Sequence, residues 1–198
     1  MTRKREADAA AGASMGAEPV DAGDVDVGPV DAGVVDSGVV GAGLPRPERS
    51  VDAEARMRRA LEIAATTPAG DVPVGAVIFG PDGRELGRGV NRREADRDPT
   101  AHAEILAIKE AVQQLGDAWR LEGCTLVVTL EPCAMCAGAL MGARIDNIIF
   151  GAYEPRTGAC GSVWDVPRES PLHWADVRGG VLAEECEELL RTFFAGLR

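Results

Sequence analysis

Apolar positions first fall into register about a quarter of the way along the chain. Ala55, Met57, Ala60, Leu61 and Ala64 recur at helical spacing and predict a helix near 52–66, ended by Pro68 and Gly70. Val72 to Phe79 is a continuous apolar, β-branched run, the pattern of a buried strand. Pro81-Asp82-Gly83 marks a turn, and Arg84 to Asn91 returns as a second strand. The next helix is expected to be capped by Asp98, with Pro99 at its first position. Its stripe is Ile105, Leu106, Ile108 and Val112, and it ends near Gly116. Thr125 to Leu130 reads as a third strand, Cys133 to Ala143 as an Ala- and Gly-rich helix, and Ile145 to Phe150 as a fourth strand. Residues 152–176 have weak periodicity. Val177 to Val181 is a short strand and Ala183 to Phe194 a final helix. Helices alternating with short apolar strands predict an α/β fold whose sheet is covered on both faces.

Residues 1–49 obey none of these periods. Between Val20 and Gly43 the chain is almost wholly Val, Asp, Ala and Gly, and Val-Asp-Ala-Gly occurs at 20–23 and again at 30–33. Two copies are too few for a stacked repeat, and a segment so poor in large apolar groups cannot offset the entropy of ordering it. A disordered tail over 1–49 and one domain over 50–198 are therefore expected.

The whole chain carries a net charge of −11, and five Lys/Arg against nine Asp/Glu in residues 1–49 leave the domain at −7. That excludes a broadly basic nucleic-acid coat but allows a local basic rim, for which Arg92, Arg93, Arg97, Arg144 and Arg156 are candidates. Five cysteines, an odd number, suit a reduced cytoplasmic protein better than a disulfide scaffold. No apolar run approaches the roughly 20 residues that span a bilayer, and no apolar h-region follows the basic opening, so neither a membrane segment nor a secretory leader is expected.

Two segments carry chemistry: Pro99-Thr100-Ala101-His102-Ala103-Glu104 and Glu131-Pro132-Cys133-Ala134-Met135-Cys136. The first offers an imidazole with a carboxylate two residues on. The second offers two thiols one helical turn apart, able to face one ion. A catalytic zinc takes three N/S ligands and leaves its fourth position to water. His102, Cys133 and Cys136 supply three ligands, and an ion so held lowers the pKa of its water to about 7. Glu104 is then the candidate proton carrier. The order His-x-Glu, then Pro-Cys-x-x-Cys, is the recognised signature of zinc nucleobase deaminases. Three other readings use the same residues. A four-ligand structural zinc site needs Cys124 or Cys160. A redox dithiol leaves His102 and Glu104 without a role, and a catalytically silent zinc-binding domain leaves Glu104 idle.

The chain resembles the bacterial tRNA-specific adenosine deaminases of the cytidine deaminase-like superfamily. The resemblance rests on VPVGAV at 72–77, the Asn91-Arg92 pair, DPTAHAEI at 98–105, TLEPCAMCAGAL at 129–140, IIFGAYEPRTGACGS at 148–162 and GGVLAEECEELLRTFF at 179–194. It covers nearly everything from Ala55 onward and none of residues 1–49. It implies a cytidine deaminase-like three-layer α/β/α fold with a five-stranded mixed sheet. It also implies one zinc ion per subunit and a homodimer whose two subunits both contact the tRNA anticodon loop. The implied reaction is hydrolytic deamination of adenosine to inosine at the first anticodon position, in the arginine tRNA with anticodon ACG. By the same resemblance His102, Cys133 and Cys136 are the zinc ligands and Glu104 the proton donor. Asn91 would hydrogen-bond the flipped base, Val72 and Pro73 would line the pocket, and Glu154 would lie in a loop touching the anticodon. Glu154 stands where Asp is usual, and Leu172-His173-Trp174 replaces an Asn-His-Arg-like segment. Deamination of a free base or nucleoside (guanine, cytosine or cytidine) uses the same zinc and glutamate, and it fits the acidic surface better.

Elsewhere the expected roles are structural. Cys124 and Cys186 are read as buried thiols, and Cys160 as an accessible residue of the substrate loop. Trp119, Trp164 and Trp174 are assigned to core or dimer packing ahead of base stacking. Glu184, Glu185, Glu187 and Glu188 form the wet face of the last helix.

Overall fold

The computed structural model describes residues 46–115 and 119–197. Most of the expected tail, residues 1–45, lies outside the described residues. Among the described residues, six helices and five strands follow in chain order. They are α1 (Arg46–Ala64), β1 (Gly75–Phe79), β2 (Glu85–Val90), α2 (Arg93–Asp96), α3 (Ala103–Leu115), β3 (Thr125–Leu130), α4 (Ala134–Gly142), β4 (Asn147–Ala152), α5 (Val166–Glu169), β5 (Asp176–Arg178) and α6 (Ala183–Gly196).

The strands form one sheet in the order β2-β1-β3-β4-β5. β1 runs antiparallel to both β2 and β3, while β3, β4 and β5 are parallel, so the sheet is mixed as expected. Strand side chains alternate between two apolar layers. Ala76, Ile78, Leu126 and Val128 face α3 and α4, packing with Ala103, Ala107, Ala111, Leu140 and Met141. Val77, Phe79 and Val127 face the other way, onto Met57, Ala60 and Ile63 of α1 and Cys186 of α6. The result is three layers, α/β/α.

Small residues set how closely α3 lies on the sheet. A Cβ at Gly89 would fall on the backbone oxygen of Ala103, and one at Gly87 on the backbone of Ala107 and Ala111. With alanines on the helix side and glycines on the strand side, α3 rests directly on β2. The start of α3 is thereby held against the end of the sheet.

The structure corrects several expectations. α3 begins at Ala103, not beside Pro99. Asp98 Oδ1 accepts from the backbone N–H (2.8 Å) and the hydroxyl (2.7 Å) of Thr100, which closes a turn ahead of the helix. His102 takes the capping position instead, its carbonyl accepting from Leu106 N–H at 3.1 Å. β1 is shorter than the apolar run, because Val72 to Val74 leave the ladder and bond to Asn91. The short helices α2 and α5 were not foreseen. No helix among the described residues is long and apolar enough to cross a membrane.

Candidate active site

β2, β3 and β4 share a direction, so their carboxyl ends lie along one edge of the sheet, where ligands of open α/β sheets bind. Four segments meet there: 72–74 entering β1, 91–102 leaving β2, 131–133 leaving β3 and 153–162 leaving β4. The starts of α3 and α4 converge on the same edge. His102 precedes α3, and Cys133 precedes α4, its carbonyl accepting from Ala137 N–H at 2.8 Å. Helix starts favour negative charge, which suits thiolate ligands.

His102 Nδ1 lies 3.7 Å from Cys133 Sγ and 3.4 Å from Cys136 Sγ, and the three atoms all fall within 4.8 Å of one another. Zn–S bonds of about 2.3 Å and a Zn–N bond of about 2.0 Å at tetrahedral angles give N···S edges of about 3.5 Å. The donor set therefore fits zinc in both chemistry and spacing. Among the described residues the cluster contains no fourth His, Cys, Asp or Glu. Cys124 and Cys160 stand outside it, so nothing there completes a closed structural site. The hydrogen bond from Cys136 and the His102 imidazole hold the Cys133 thiol far below the usual thiol range, while the Cys133 sulfur and burial push Cys136 upward. Its bond with Cys133 raises His102.

Glu104, in the first turn of α3, is buried (4 % exposed), and burial raises its carboxyl above the ordinary range. It shares a cavity of about 240 Å³ with His102 and Cys133. Asn91 lines that cavity. Its Nδ2 donates to Val72 O at 3.2 Å and its backbone N–H to Val74 O at 3.1 Å. Its buried Oδ1 has no hydrogen-bond partner among the described residues. An unpaired buried acceptor on a cavity wall is costly unless an occupant donates to it.

Val72 and Val74, two residues apart, line the cavity, and Pro73 is not among its lining residues. Glu154 sits on the rim, its Oε1 accepting from the backbone N–H of Arg156 at 2.9 Å. Of the five candidate rim arginines, Arg93 lines the cavity, while Arg92 is engaged by Asp96 at 2.7 and 2.9 Å.

Other residues of the site lacked an expected role. Leu190 and Phe194 of α6 close one side of the mouth. Glu131 also lines the cavity and is only 2 % exposed. Its signal was a carboxylate directly after the apolar run of β3. Cys160, expected to be accessible, is buried, as are Cys124 and Cys186. The three tryptophans are each more than half exposed, so none packs in the core.

Residues 50–152 match the family of cytidine and deoxycytidylate deaminase zinc-binding regions. A tRNA-specific adenosine deaminase of Bacillus subtilis is 44 % identical over 147 residues, 73 % of this chain and 90 % of that protein. One from Haemophilus influenzae is 45 % identical over 148 residues, 74 % and 85 % of the two chains. A tRNA(Ile)-lysidine synthase of Deinococcus deserti is 47 % identical over 146 residues, but the match spans only 27 % of that longer protein. Among solved structures, a tRNA:A34 deaminase studied for A-to-I editing at the wobble position of transfer RNA superposes with a TM-score of 0.62 at 42 % identity. That match covers 68 % of this chain and 97 % of the other. A guanine deaminase from Nitrosomonas europaea superposes with a TM-score of 0.60 at 29 % identity, covering 79 % and 97 %.

Proposed function

The chain belongs to the cytidine and deoxycytidylate deaminase family, among its tRNA-specific adenosine deaminases, and on that premise we propose that it converts adenosine to inosine at the first anticodon position of a tRNA. The overall reaction consumes one water and releases one ammonia. The observation that carries this reading is a His102-Cys133-Cys136 cluster at zinc-ligand spacing, with His102 and Cys133 lining one cavity together with the buried carboxylate of Glu104.

His102, Cys133 and Cys136 would hold the zinc, which would supply a Lewis acid able to bring the pKa of water to about 7. Glu104 takes a proton from the attacking water and delivers it to ring nitrogen N1 as C6 becomes tetrahedral. The carboxylate then takes the proton of the new C6 hydroxyl and hands it to the amine, so that the C6–N bond breaks, C6=O forms and ammonia leaves. A carboxyl group raised by burial is suited to both accepting and returning a proton near neutrality. Asn91 Oδ1 accepts a hydrogen bond from the bound nucleotide, and Val72 and Val74 pack against the base. Glu154 keeps an oxygen for a ribose hydroxyl.

The cavity volume lies below the range typical of pockets for whole drug-sized ligands, about 300–1,000 Å³. It suits one flipped base whose sugar and phosphates stay outside. Free guanine would also fit, and the guanine deaminase likeness keeps that as the second reading. An unmodified arginine tRNA with anticodon ACG separates the two. Mass spectrometry of digested tRNA should find inosine at the wobble base. Persisting adenosine alongside consumption of free guanine or cytidine would install the second reading.

The same reading makes the protein a cytoplasmic homodimer. The half-exposed Trp164 and Trp174 offer apolar surface to a second copy, and sedimentation at micromolar concentration should return twice the chain mass.

A further inference from the structure

We propose that Glu131 is a positioning residue that locks the 154–162 loop onto the metal-ligand segment and so sets the wall against which the nucleotide binds. Four donors converge on its two carboxylate oxygens. Oε1 accepts from the backbone N–H of Cys160 at 3.1 Å and of Ser162 at 3.0 Å. Oε2 accepts from the backbone N–H of Glu154 at 3.1 Å and from the Ser162 hydroxyl. The seam continues along the main chain, where Ala159 N–H donates to Pro132 O at 2.8 Å and Cys133 bridges to Gly158.

The geometry leaves no slack. A Cβ at Gly158 would come within 2.5 Å of Glu131 Cδ, so the loop passes over the carboxylate only because position 158 lacks a side chain. Two of the loop's residues, Glu154 and Thr157, form part of the cavity wall, and Cys133 lies two residues beyond Glu131. The carboxylate therefore fixes the distance between the metal side of the cavity and its nucleotide side. Among the described residues its side-chain hydrogen bonds all come from this loop. A positional effect on binding follows, not a part in proton transfer.

This rests on the tRNA reading for its kinetic arm but not for its structural one. Glu131→Gln keeps the shape and replaces one acceptor oxygen with an N–H₂ group that faces donors. Ser162→Ala removes one donor and is the milder change. Gly158→Ala presses on the carboxylate from above. In the zinc-loaded full chain, KM for the tRNA should rise about tenfold or more in E131Q and G158A, and less in S162A, as expected for charge-assisted bonds of this kind. kcat should change by less than about threefold, and zinc should stay at one per chain. Amide hydrogen exchange at Glu154, Cys160 and Ser162 should quicken in the same order. Unchanged exchange at these three amides would overturn the proposal whatever the substrate, as would a loss confined to kcat or a lowered melting temperature with KM intact. A wild-type chain inactive on tRNA would instead defeat the functional reading, leaving exchange to judge Glu131.

Discussion

Glu104 and the thiols of the cluster give the sharpest expectations at the scale of single residues. Replacing Glu104 by Ala removes the proton carrier and no metal ligand. The variant should bind one zinc per chain by atomic absorption and lose about 10²–10⁴ in rate. Wild-type turnover would end its assignment. Thiol reactivity tests the metal side independently. Burial pushes Cys160 and Cys186 up to about 12, so at pH 8 only about one in 10⁴ of each is thiolate. Raising the pH towards 12 increases that fraction, and lowering it silences them further. Cys133 is partly exposed and held well below the usual thiol range, so it remains thiolate at pH 8. Alkylation at pH 8 should be slow in the zinc-loaded protein. After chelation one fast site should appear, identified by peptide mapping as Cys133. Rapid labelling of Cys160 before chelation would contradict its buried placement.

At the scale of elements, the seam of Gly87 and Gly89 against Ala103 and Ala107 decides where the catalytic helix sits. Gly89→Ala drives a methyl group into the Ala103 carbonyl, at the very start of α3. Overpacking of this kind costs about 1–3 kcal/mol. Urea unfolding should show that loss together with weaker zinc binding, because His102 and Glu104 move with the helix. Loss of stability with unchanged zinc affinity would mean that α3 is not held by this contact. The same region shows what was readable in the chain. The period of α3 was legible from Ile105, Leu106, Ile108 and Val112, and the candidate metal cluster from the combination of His-x-Glu with Pro-Cys-x-x-Cys. The helix start was not. Asp98 followed by Pro99 looks the same whether it caps a helix or closes a turn, and only the docking of 101–103 on the sheet decides. β1 likewise stops short because Val72 and Val74 serve Asn91, a contact spanning 17–19 residues that no local pattern encodes. Pro73, matched by resemblance to a pocket position, is not among the residues that line the cavity, while Val72 and Val74 are. Glu131 was visible as a carboxylate out of pattern, but its four partners lie 23–31 residues onward.

The whole molecule poses an electrostatic question, since an acidic chain is proposed to meet a polyanion. Residues 1–45 contain three Lys/Arg and eight Asp/Glu, and contribute five of the eleven net negative charges. Long-range repulsion between this segment and tRNA phosphates acts mainly on encounter and is screened over roughly 10 Å at 0.1 M salt. The catalytic cluster and the cavity lining all lie beyond residue 71. A chain beginning at Arg46 should therefore retain kcat and bind tRNA more tightly at low ionic strength, with the advantage fading as salt rises. The measurement is kcat/KM for inosine formation by full-length and shortened chains from about 20 to 300 mM salt. Curves that converge at high salt would assign the difference to charge. Equal curves throughout would mean the N-terminal charge never reaches the substrate. A shortened chain that is weaker at every salt concentration would make residues 1–45 part of the binding surface despite their sign.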